Sequence, residues 1–144
     1  MTAEALIIIP LLLLISIAIV EFGLLLSLRQ SVAHAAIEGA REASKGVTTA
    51  DLNGIVETAL GGFDVALATN AGYLFEDPAN LVFAQVGAIT CDQPSTPLTL
   101  GNVRMTVCVN SSGSPVSGLI AKFGGANLLD KIMSATAVAK TECP

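Results

Sequence analysis

Residues Ala5 to Leu28 form an almost unbroken apolar run, Ala-Leu-Ile-Ile-Ile-Pro-Leu-Leu-Leu-Leu-Ile-Ser-Ile-Ala-Ile-Val, followed by the single carboxylate of Glu21 and then Phe-Gly-Leu-Leu-Leu-Ser-Leu. As a helix this run is about 36 Å long, enough to cross a hydrocarbon core. The only charged side chain ahead of it is Glu4, and the first basic residue, Arg29, follows it. A secretory signal carries basic residues in front of its apolar stretch and a small-residue cleavage site behind it. Neither is present here, and the pattern continues without Gly-Pro punctuation to Lys45. One long helix is expected over residues 1–45, with 1–28 suited to lipid or to other apolar helices.

The remainder, 46–144, is about the length of one small domain. The chain of 144 residues is 52% hydrophobic and 13% charged, too apolar for an ordinary soluble domain and too polar after Leu28 for a polytopic membrane protein. Net charge is −5, and the seven Lys and Arg residues are scattered. No basic cluster interleaved with aromatics offers a phosphate-binding surface, so nucleic acid is not an expected partner. No nucleophile–base pair and no set of metal ligands at recognisable spacing stands out. Neither an enzyme nor a cofactor is expected.

From Leu28 the positions Leu28, Val32, Ala36 and Gly39 recur at helical spacing, while Arg29, Glu38, Arg41, Glu42 and Lys45 take the polar faces. Ala and Gly keep this half slim, which suits close packing against copies of the same helix. Gly46 should end it, and Thr48 or Thr49 should cap a short second helix from Ala50 to Leu60. Beyond Phe63 the period changes. Leu81 to Thr90, Asn102 to Asn110 and Ile132 to Thr141 read as strands, the second alternating Val103, Met105, Val107 and Val109 with polar residues so as to bury one face. Val116 to Phe123 suits a helical turn. The expected class is α+β: a long N-terminal helix packed on a small antiparallel sheet.

Three blocks in order, Glu4-Ala5-Leu6-Ile7-Ile8-Ile9-Pro10, Ile19-Val20-Glu21-Phe22-Gly23 and Ala35-Ala36-Ile37-Glu38-Gly39-Ala40-Arg41, resemble the N-terminal helix of TadE-like proteins. These are pilin-like subunits of the tight-adherence branch of type IV pilus machinery. The ending Met133 to Glu142 is similar to that family's closing strand. The resemblance implies a structural protein that enters the inner membrane and is trimmed by a prepilin peptidase. The pilus assembly machinery then packs it, through its helix, with copies of itself or other pilins into an extracellular filament. Two features depart from the family's pattern: no short basic leader precedes Met1, as in a processed form, and the acidic residue is Glu4 where related pilins carry it fifth after the cut. A single-pass membrane-anchored periplasmic factor that never polymerises is the competing reading.

Six residues are candidates for assembly: Glu4, Pro10, Glu21, Arg29, Ala36 and Gly39. A carboxylate beside an apolar helix core needs a partner, and the amino terminus of an adjoining subunit would suit Glu4; alternatively it is a helix-terminal charge wetted by headgroups. Ionisable groups within apolar spans are usually paired or functional, so Glu21 is a candidate partner for Arg29 of an axially shifted neighbour, some 12 Å along the helix. Otherwise it snorkels or stays protonated. Pro10 cannot donate to Leu6 and predicts a kink or loosened turn. Ala36 and Gly39 are the small residues that would let helices approach. The one histidine, His34, has no partner at a catalytic spacing and reads as a surface or interface residue.

Cys91, Cys108 and Cys143 follow no metal spacing and suggest one disulfide and one spare thiol in an oxidising compartment. If the three strands form an up-down-up meander, Cys91 and Cys143 finish at one end of the sheet, and Cys108 lies roughly 20 Å away at strand rise. A Cys91–Cys143 bridge is favoured on that topology. A shifted hairpin or a helical C-terminus would permit Cys91–Cys108 instead.

Overall fold

The computed structural model describes residues 3–61, 65, 67–79, 82–110 and 132–141, with side chains described from residue 7 onward except at 82. Helix α1 spans Ala3–Ser44 and α2 spans Thr49–Leu60. Four strands follow: β1 Ala71–Asp77, β2 Val82–Gly87, β3 Asn102–Asn110 and β4 Ile132–Lys140. The class is α+β, a long apolar helix packed on a four-stranded antiparallel sheet, as expected. The Val116 to Phe123 turn and Cys143 lie outside the described residues.

Local chemistry sets the helix boundaries. Gly46 adopts φ +81°, a conformation that costs side-chain-bearing residues, and its N–H closes the last turn of α1 on the Ala43 carbonyl at 3.0 Å. Thr48, extended at φ −69° and ψ 157°, caps α2 by accepting from the Asp51 N–H. Pro10 sits inside α1, which continues through it.

The sheet order is β2-β1-β3-β4, which corrects the expected meander. The strand that reorders it is β1, Ala-Gly-Tyr-Leu-Phe-Glu-Asp, which lies between β2 and β3 and pairs antiparallel with both. It carries a Gly and two carboxylates, residues depleted in strands, and it is buried along its whole length rather than in alternation. Burial on two faces erases the period-2 signal.

The second correction concerns β3. Val103, Met105, Val107 and Val109 face the helices as expected, but Arg104, Thr106 and Cys108 are buried too. The cover on this far face is the segment from Ala88 to Gly101. After Gly87, paired to Gly72, the chain turns back across β1 at Gly72, where a Cβ would overlap the Ile89 carbonyl group. Cys108 is paired to Gly72 from the other side, so the crossing delivers Cys91 to it. The disulfide is Cys91–Cys108, with Cα atoms 5.7 Å apart. The expected Cys91–Cys143 bridge is therefore replaced; β1 intervenes between the two strands of the expected hairpin, and a loop crossing a glycine reaches what a strand could not. Leu74, Ile89 and the two bridged cysteines form a small second core there.

The main core lies between the sheet and the helices. Leu28, Val32, Ala35, Ala36 and Ala40 of α1 and Leu52, Val56 and Leu60 of α2 pack over Tyr73, Met105, Val107 and their neighbours. Each fully buried Leu or Val contributes roughly 1.5–3 kcal/mol. The Tyr73 hydroxyl, at the edge of this core, donates to Asn53 Oδ1 at 2.6 Å, tying β1 to α2.

Candidate functional site

Helix α1 divides into two parts with different surroundings. From Ile7 to Leu26 its side chains are mostly exposed, with Ile7 at 73%, Ile19 at 67% and Phe22 at 63%. Only 6% of its most apolar 18-residue window is buried, so this is not the core helix of a soluble fold. The helix is long and apolar enough to cross a membrane. The one hydroxyl in the run, Ser16, donates to the Leu12 carbonyl at 2.8 Å and presents no unsatisfied donor to an apolar medium. From Leu28 to Ser44 the same helix is fastened to the sheet, so the exposed part is held on a rigid base rather than on a linker.

The candidate assembly residues fall into separate groups. Glu4 lies on the helical backbone, and its side chain is outside the described residues. Pro10 belongs to the exposed apolar part. Arg29 is exposed just where that part ends. Glu21 is 3% exposed within the single chain, so its cover does not depend on a neighbour.

Ala36 and Gly39 correct the expectation that this half packs on sister helices. Both face the chain's own sheet: Ala36 is buried, and a Cβ at Gly39 would overlap the Met105 thioether. The small residues let α1 lie close on β3 and β4, which is why a slim helix suffices for a domain of this size. A Gly39→Leu variant is therefore expected to lose about 2 kcal/mol of domain stability by overpacking. Thermal unfolding of the full chain in detergent reads this, and an unchanged Tm would contradict the packing described.

Two clefts remain. One, of 580 Å³, opens on the far face beside the disulfide loop, between Phe83, Pro94, Pro97 and Leu98. At its floor Arg104 pairs with Glu76, its direct neighbour across β1 and β3. The Arg104 Nη2 donates to Glu76 Oε1 at 3.1 Å and its Nη1 to the Thr96 carbonyl at 2.7 Å. The hydrogen bonds from Arg104 hold the Glu76 carboxyl below the usual carboxylate range, against the opposing effect of burial, with Gln93 assisting. With its guanidinium engaged on both sides, Arg104 acts as a clasp between the sheet and the loop rather than as a ligand for an anion. The pair leaves little trace in the sequence, because β1 is buried throughout and lacks a strand's alternation; an Arg on the polar face of alternating β3 is its one visible signal.

The other cleft is a groove of 1150 Å³ between α1 and α2. Its α1 wall carries Ser31, His34, Glu38 and Glu42, and its α2 wall carries Asp51, Gly54, Ile55 and Thr58. His34 is exposed there, in keeping with a surface residue. Among the described residues no group of three or more His, Cys, Asp or Glu side chains is placed to hold a metal ion.

Residues 1–41 match the family model of TadE-like proteins, a likeness that covers the exposed apolar helix and most of its packed continuation. The match ends before α2 and the sheet. Comparison with curated proteins and with solved structures gives no match.

Proposed function

We propose that the chain is a structural subunit, a pilin or pseudopilin of the tight-adherence type, which polymerises through α1 and displays the sheet domain outward. The observation that carries this reading is a roughly 30 Å apolar helix, exposed on nearly all sides, projecting from a domain fixed to its other half. Such a surface is stable in water only when lipid or like helices cover it. The TadE-like match over residues 1–41 supports the choice of pilus-type assembly. On this reading the chain resides in the inner membrane until a prepilin peptidase and the assembly machinery process and export it, with sister subunits or other pilins as final partners. The bridge between Cys91 and Cys108 accords with an oxidising destination.

Negative-stain microscopy and peptide mass spectrometry of sheared cell-surface material test the proposal. Filaments containing this chain, with a defined processed N-terminus, are expected. Recovery of the chain exclusively in the membrane fraction, with no filament lost on its deletion, would favour an anchored periplasmic factor.

A further inference from the structure

Around the lower half of α1, two surfaces face different directions. On one side is the α1–α2 groove, walled by Ser31, Glu38 and Glu42 and by Asp51, Gly54 and Ile55. On the other, Arg29, Ala33, Ile37 and Arg41 follow one another at intervals of four, forming a single i+4 ridge. Ile37 stands out on that ridge, 59% exposed on the polar half of the helix. Arg29 and Arg41 are exposed, and neither forms a salt bridge among the described residues.

We propose that the α1–α2 groove receives the Arg29–Ala33–Ile37–Arg41 ridge of a second copy of this chain. The proposal rests on the assembly reading above and names the contact that reading lacks. Three features of the surfaces fit each other. In shape, a helix about 10 Å across, half sunk along the roughly 22 Å of α1 that walls the groove, displaces on the order of 900 Å³, comparable with the 1150 Å³ available. Gly54 leaves the groove wall open, with nothing within 4 Å of where its Cβ would be, which provides room for the Ile37 side chain. In charge, the ridge ends in two cations about 18 Å apart, and the groove carries Glu38 and Asp51 beside Glu42, which is already paired with Lys45 at 2.6 Å.

The third feature is direction. At 3.6 residues per turn, Ile37 lies about 100° around α1 from Glu38. Ridge and groove are thus different patches of one molecule, and their contact is heterologous. Such contacts repeat head to tail, giving rings where the rotation closes and helical filaments where it does not, rather than isolated dimers. Ile37 and the charges of the groove are therefore polymer contacts, whereas Ala36 and Gly39, beside them in sequence, are core.

Cross-linking in the full-length chain tests this. On a Cys143→Ser background, Ile37→Cys and Gly54→Cys are combined in one chain, and intact cells are treated with a short bismaleimide before filaments are sheared. A ladder of linked dimers, trimers and higher species is expected, absent from either single variant and from an Ile37→Cys/Glu57→Cys control. Filaments without that ladder, or with an equal ladder in the control, overturn the groove contact and leave filament assembly standing. Absence of filaments from the parent chain, together with absence of the ladder from the double variant, overturns the two together. Adding Arg29→Glu and Arg41→Glu to the cross-linking pair is expected to lower ladder yield about fivefold. An unchanged yield overturns charge-matched docking.

Discussion

An Arg104→Met variant is expected to lose about 3 kcal/mol of domain stability, because it strands the Glu76 carboxylate in a site with little water. The two side chains are 6% and 12% exposed, so solvent does little to compensate. Removing both charges together, in Arg104→Met/Glu76→Met, should be far milder than either single change, since no uncompensated charge is then left. The pair also gives the domain a pH dependence. The Glu76 carboxyl is held below its ordinary value of 4.5, chiefly by hydrogen bonds from Arg104. A depressed carboxyl stabilises the fold fully above the unfolded-state value, and the contribution fades as pH falls through the folded-state value. Urea unfolding of the parent from pH 6 downward should therefore show a loss starting near the ordinary glutamate range, and Arg104→Met should lack that part of it. Superimposable pH curves would contradict the clasp.

The second large effect belongs to the bridge. Cys91→Ala/Cys108→Ala is expected to cost about 3 kcal/mol, the chain-entropy value for a loop of this size, the separation being 17 residues. The loss should be local as well as global, because the bridge pins the Ala88 to Gly101 segment over Leu74 and the Arg104 clasp. Faster proteolysis within that segment is the accompanying sign. Non-reducing peptide mapping of the parent should yield one peptide linking Cys91 to Cys108, and a Cys91–Cys143 peptide would contradict the topology.

The helices were legible in the sequence because their signals are local. A glycine in the left-handed region ends α1, a threonine caps α2, and the apolar periods match the faces that are buried. Strand β3 was legible for the same reason: its alternation reports the face turned toward the helices. What stayed hidden depends on contacts distant in sequence. Strand β1 has no alternation to detect, since neighbours on both sides and both faces bury it. Once it is missed, β2 and β3 look like a hairpin, and the cysteine pairing derived from that hairpin fails. Gly72 was the available clue, a glycine in an otherwise β-prone stretch that marks a close backbone crossing.

The candidate site divides the same way. That Ile7 to Leu26 must be covered by something apolar follows from composition alone. That Ala36 and Gly39 face inward could not be read, because small residues at helical spacing suit a sister helix and a domestic sheet equally. Met105, sixty-six positions further along the chain, decides between them. Ile37 and the α1–α2 groove were invisible for a related reason: a groove exists only once α2 is laid beside α1.

In the proposed assembly the exposed half of α1 is buried by like helices. Helical reconstruction of sheared filaments by electron cryomicroscopy addresses it most directly. The expected map has residues 7–26 of this chain near the filament axis against α1 of neighbouring subunits, with the β-sheet outermost. A filament map with no density for this chain, and recovery of the protein only as detergent-solubilised monomers with lipid around α1, would contradict it.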